Sequence, residues 1–259
     1  MRYLAEEARR TAGNKPFYNV AEYLPPEPAV TGLNGPMDGC WHDFFKHTIG
    51  DYLCTGECNL EAIKDVLDAR RKGFQGMTNV VNYLNNHDHD RLLHQLGERG
   101  ILDAEAFRRD KLGAAMLMTA FGIPMLWMGQ EFGESKAKTI EQNKINWNLL
   151  ANPDNRELFD YYKKLIALRK DHAALRSDKL AFFHEDHDHK ILCYVRWSEA
   201  GEKVAVVLNL SGETLAGYTI PNFPADGEWR EVTRDFGVQA TGNQLVIDLP
   251  EREALVLAK

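Results

Sequence analysis

The chain is poor in the features that mark several large protein classes. It has only four cysteines, Cys40, Cys54, Cys58 and Cys193. They offer one Cys-x3-Cys spacing with no second pair and no histidine at zinc-site spacing, so thiols in a reducing, cytoplasmic compartment are expected. The first ten residues, Met1 to Arg10, carry charges where a secretion signal needs an apolar run. No block of Lys and Arg with interleaved aromatics is present, and 31 basic against 38 acidic residues leave a net charge of −7, which argues against a nucleic-acid partner. Leu112 to Gln130 is the one charge-free stretch near bilayer length, and Gly122 and Pro124 cut it in two, so no membrane span is expected. Internal repeats and low-complexity segments are missing as well.

What is there is an ordinary globular composition, 44% hydrophobic and 27% charged, in a chain of 259 residues. Residues 3–12 read as a helix that Gly13 ends in the left-handed conformation. Phe17–Ala21 reads as a short strand ending at Glu22, followed by a Pro-rich loop from Tyr23 to Gly35. Helices are expected from Trp41 to about Leu53, from an Asn59 cap onward, over 103–121 and over 157–170. Strands are expected at Asn79–Leu84 and Ile123–Met128, and this strand–loop–helix alternation predicts a parallel sheet. After about residue 176 the texture changes to seven short strands separated by turns, an antiparallel sandwich whose core includes Phe182, Phe183, Trp197 and Trp229. Met116, Met118, Met125 and Met128 are expected to pack in helix or strand. His184 to His189, rich in His and Asp, reads as a polar hairpin turn.

In a parallel α/β architecture reactive groups gather where strands end. Glu22 follows the first strand, and Asp88 with His87 beside it follows Asn79–Leu84. Two carboxyl groups at one mouth are what glycoside hydrolysis requires, one to protonate the leaving oxygen and one to oppose positive charge at the anomeric carbon. By spacing alone, a strand-end carboxylate is more often a helix cap or a loop salt bridge.

Val20-Ala21-Glu22, Asn85-Asn86-His87-Asp88 and Gly129-Gln130-Glu131-Phe132-Gly133, in this order and spacing, resemble the α-amylase superfamily, glycoside hydrolase family 13. The segment Met37 to His47 resembles the sixth-strand region of glycogen branching enzymes and trehalose-releasing maltooligosaccharide hydrolases within it. The resemblance implies an α/β fold: the C-terminal half of a TIM-like (β/α)8 barrel, about strands 5–8, over residues 1–175, then an all-β antiparallel sandwich over 176–259. It implies Glu22 as acid/base, Asp88 as transition-state stabiliser, His87 as a sugar ligand, and Trp41, Tyr23 and Glu131 as further substrate contacts. No metal or cofactor is expected. The family's nucleophilic Asp, at the end of its fourth strand, has no counterpart here. Three readings remain open for an α-glucan or maltooligosaccharide ligand: a complementary half-barrel chain completes the cleft, a homodimer does, or the protein binds glucan without catalysis.

Overall fold

The computed structural model describes residues 1–259. Four short strands, β1 (Val20–Ala21), β2 (Gly39–Trp41), β3 (Val80–Asn82) and β4 (Ile123–Pro124), pair in parallel in chain order. Ala21 faces Cys40, Trp41 faces Val81, and Val81 faces Ile123. Parallel neighbours need crossover connections, and helices supply them. The crossover helices are α2 (Pro28–Thr31), α3 (Asp43–Thr55), α4 (Leu60–Leu67), α5 (Leu92–Glu98) and α6 (Asp103–Thr119), while α1 (Arg2–Ala12) precedes β1 and α7 (Pro153–Asp171) follows β4.

Local chemistry explains several boundaries. The Asn59 side chain accepts from the Ala62 N–H at the start of α4, and Asn152 caps α7 with Pro153 at its first position. In α6 a Cβ on Gly113 would lie 2.7 Å from Leu53 Cδ1, so the missing side chain lets α3 and α6 approach. Pro124 has no N–H to donate, and β4 ends there rather than running on to Met128.

Other sequence expectations need correction. Trp41 is not helical: it pairs with Val81 in β2, and α3 begins only at Asp43. The Pro-rich loop contains α2, because Pro28 suits a helix's first turn. Gly13 has φ 58° and ψ −121°, outside the left-handed helical well. Met116 and Met118 are buried, but Met128 is 56% exposed, since the chain has left the sheet by then.

The charge-free stretch resolves into the end of α6, β4 and a loop, and no helix is long and apolar enough to cross a membrane. Two buried arginines hold the carbonyls where α6 ends. Arg169 donates to Met118 and Gly122 O, and Arg196 to Thr119, Ala120, Leu175, Ser177 and Lys179 O. Burial pushes Arg196 down to about 10, so it remains charged at neutral pH.

The rest of the chain is antiparallel: β5 (Leu180–Asp186), β6 (Ile191–Trp197), β7 (Lys203–Asn209), β8 (Leu215–Ile220), β9 (Gly227–Glu231), β10 (Phe236–Ala240), β11 (Leu245–Leu249) and β12 (Glu253–Ala258). Eight strands replace the expected seven. The additional one, β10, is a five-residue edge strand in which Phe236, Val238 and Ala240 alternate with Gly237 and Gln239 but only Ala240 is buried. Six strands form one sheet in the order β10-β9-β12-β7-β6-β5, and β11 with β8 forms a second.

The period of two divides β6 and β7 between two cores. Leu192, Tyr194, Val204 and Val206 join a 42-residue core shared with α3, α6 and α7, whereas Ile191, Cys193, Ala205 and Val207 face Trp229 and Leu249 in a 12-residue core between the sheets. Phe182 packs on the first core and Phe183 on the second, while Trp197 is only half-buried.

Candidate active site

The carboxyl ends of β1, β2 and β3 place Glu22, Trp41 and the Tyr83–Asp88 segment on one side of the sheet. A carboxylate oxygen of Glu22, one of Asp88 and a ring nitrogen of His87 all lie within 4.8 Å of one another, and all three residues are exposed. His87 Nε2 is 3.5 Å from Asp88 Oδ2. Trp41 packs edge-on against Tyr83 at 5.4 Å and His87 at 5.8 Å, and Trp127 approaches His87 at 6.1 Å. Tyr83 is fully buried, and its hydroxyl donates to Asp43 Oδ1 at 3.0 Å. Burial first, then the negative charges of Asp43, Glu22 and Asp88, push this phenol far up, so it stays a neutral donor.

The polar cluster after β3 divides its labour. Asn85 Oδ1 accepts from Leu92 N at 2.7 Å and Asn86 Oδ1 from Asp88 N at 3.0 Å, so the two buried asparagines build the turn. His87 and Asp88 are thereby left exposed at its outer side. Lys138 Nζ donates to Asp88 O at 2.8 Å and lies 3.8 Å from its Oδ1. A cavity of 170 Å³ opens here, lined by His87, His89, Trp127 and Lys138 among others. Larger clefts lie between α7 and β9 and along α1, away from the strand ends.

Two further expected substrate contacts are Tyr23 and Glu131. Tyr23 is exposed and outside the Trp41–His87–Trp127 aromatic group. Glu131 Oε2 accepts from Gly129 N at 2.9 Å, so this carboxylate closes its own turn. That turn explains the Gly-Gln-Glu-Phe-Gly motif: both glycines have positive φ, Gln130 Nε2 donates to the Tyr162 hydroxyl at 2.9 Å, and Phe132 is buried against Trp147. The His184–His189 segment keeps its polar-turn role, with His184 Nε2 against the Tyr218 hydroxyl and His189 Nδ1 against Asp186 Oδ2, each at 2.8 Å.

Sequence reasoning missed Tyr83, Trp127 and Lys138. Tyr83 was within reach, two residues beyond Val81 on the same strand face. Lys138 lies in an irregular loop 50 residues from Asp88, and no spacing marks it.

Residues 38–152 match the family model "Alpha amylase, catalytic domain" and residues 183–259 match "Alpha amylase, C-terminal all-beta domain". Glu22 precedes the first match. Neopullulanase 2 of Thermoactinomyces vulgaris is 25% identical over 256 residues, 93% of this chain and 42% of that protein. A 1,4-alpha-glucan branching enzyme of Nocardia farcinica is 26% identical over a shorter 184 residues, 66% of this chain and 24% of that protein, so the branching-enzyme resemblance is the weaker one. The acarbose complex of the Geobacillus thermoleovorans alpha-amylase superposes with a TM-score of 0.77 at 22% identity, covering 99% of this chain and 56% of that one. The chain thus spans about half the length, or less, of the relatives it matches. An α-amylase catalytic domain over residues 38–152 and an α-amylase C-terminal all-β domain over residues 183–259, both of the glycoside hydrolase family 13 superfamily, are thus found in this chain.

Proposed function

We propose that this chain acts on α-glucans, at α-1,4 or α-1,6 bonds, as the acid/base-bearing part of a retaining glycosidase or glucanotransferase. The observation that carries this reading is the convergence of Glu22, His87 and Asp88 within 4.8 Å beside Trp41. Glu22 protonates the leaving oxygen, Asp88 opposes the oxocarbenium-like charge, and His87 hydrogen-bonds sugar hydroxyls. Trp41 and Trp127 offer faces for a glucose ring. The acarbose complex of the similar alpha-amylase supports a maltooligosaccharide-like ligand.

Retention also needs a nucleophilic carboxylate, which we assign to another polypeptide segment packed beside residues 1–175, with 176–259 as the closing β domain. The open β1 edge supports this: Phe17, Tyr18, Val20, Tyr23 and Leu24 are all exposed around it, an apolar strip that a neighbouring strand layer would cover. A complementary half-barrel chain fits best, and a second copy would cover the same edge.

Calorimetry with maltooligosaccharides tests the reading. Saturable binding that weakens at least tenfold in His87→Ala and in Asp88→Ala is expected, with cleavage appearing once the complementary segment is supplied. Binding that never leads to cleavage identifies a glucan-binding protein instead, and no saturable heat overturns the α-glucan reading.

A further inference from the structure

A second cluster of ligand-bearing side chains lies on the flank of the cleft. Asp43 and His47 stand four apart on the first turns of α3, which places both on one helix face. His89 reaches the same point from the loop after β3. One ligand atom from each of the three lies within 4.8 Å of the others. His47 Nε2 is 3.2 Å from Asp43 Oδ2, His89 Nε2 is 4.0 Å from Asp43 Oδ1, and the imidazole rings stand 5.7 Å apart and nearly perpendicular.

We propose that Asp43, His47 and His89 form a binding site for a divalent transition metal, with zinc as the ion their chemistry suits. Two imidazoles and one carboxylate with an open position are an established ligand set for zinc and its first-row neighbours. Ligands held ~2.1 Å from a tetrahedral zinc stand about 3.4 Å from each other, so small side-chain rotations close the present spacing. Asp43 is already aimed, because the buried Tyr83 hydroxyl donates to its Oδ1, the kind of outer contact that orients metal-binding carboxylates. Of the nearby charges, Lys46 opposes a bound cation, while Asp88 on the adjoining loop favours one. Against scattered surface acids, this set has two half-buried members, one of them fixed by a hydrogen bond from the buried Tyr83.

An ion there ties α3 to the loop that carries His87 and Asp88, and so bears on the shape of the cleft. Nothing in the chain's spacing reveals it, since 42 residues separate His47 from His89 and no metal motif joins them. The proposal does not depend on the glucan reading.

Zinc chloride titrated calorimetrically into the chelator-treated full chain is the direct test. One equivalent is expected, weakened at least tenfold in His47→Ala and in His89→Ala, and unchanged in the double variant His187→Ala/His189→Ala of the β5–β6 turn. Zinc-dependent shifts of the His47 and His89 ring protons in the unaltered protein give a reading that needs no variant. Affinity indifferent to His47→Ala, loss confined to the β5–β6 turn variant, or ring protons that do not move overturns the assignment.

Discussion

Replacing Asp110 by asparagine changes how the stability of this protein depends on pH. Asp110 lies on α6 at 2% exposure, and its Oδ1 accepts from the Tyr162 hydroxyl at 3.2 Å. Burial pushes this carboxyl up from 3.8 to about 7 against the opposing influence of that hydrogen bond. The folded chain therefore holds a proton over a range in which the unfolded chain has released it. The stability this provides is complete below pH 3.8 and is lost as pH rises through about 7. At ~1.4 kcal/mol per pH unit, folding with this carboxylate costs about 4 kcal/mol at pH 8 and roughly 1.5 kcal/mol at pH 5. Asparagine keeps the acceptor for Tyr162 and never ionises. An amide N–H left unpaired costs about 1–3 kcal/mol, equally at both pH values. The expected outcome is that Asp110→Asn is more favourable at pH 8 than at pH 5 by roughly 2–3 kcal/mol. Urea unfolding of both proteins at the two pH values measures it. A difference between variant and parent that is the same at pH 5 and pH 8 refutes the reasoning.

His42 has the opposite slope. Burial pushes it down from 6.5 to about 4, with its Nδ1 held against Asn82 Oδ1 at 2.7 Å. Its stability is full above pH 6.5 and is lost as pH falls toward 4, by roughly 3 kcal/mol, so Asp110→Asn should expose a steeper acid-side decline in a pH series of thermal melts. Arg196→Met strands the carbonyls where α6 ends and should cost about 3 kcal/mol or more in urea unfolding, and Arg196→Lys should recover only part because an ammonium cannot span five carbonyls.

Much of the α/β order was legible because it rests on local signals. The Asn59 cap, the strand–helix alternation and the positions of α6 and α7 follow from caps and periodicity. Trp41 was misread because an apolar residue before a helix fits both the helix face and the strand that precedes it, and only the ladder to Val81 decides. The β10 strand was missed although Phe236, Val238 and Ala240 alternate along it, because five residues with Gly237 and Gln239 between them give a pattern too short to stand apart from a turn. In the site, Glu22, His87 and Asp88 were found as strand-end residues and do converge, whereas one carboxylate oxygen of Glu131 is held by the backbone of its own turn.

By itself the sequence determined the class of architecture, the segments that carry it and the α-amylase motifs, because helix caps, strand periods and turn glycines act over a few residues. Tertiary structure decided which of those residues meet. The distances among Glu22, His87 and Asp88, the lysine behind Asp88, the arginines that finish α6 and the Asp43–His47–His89 cluster all join groups from different segments. Such contacts are set by how the helices, the parallel sheet and the six-stranded sheet pack on the 42-residue core, and no short-range pattern encodes them.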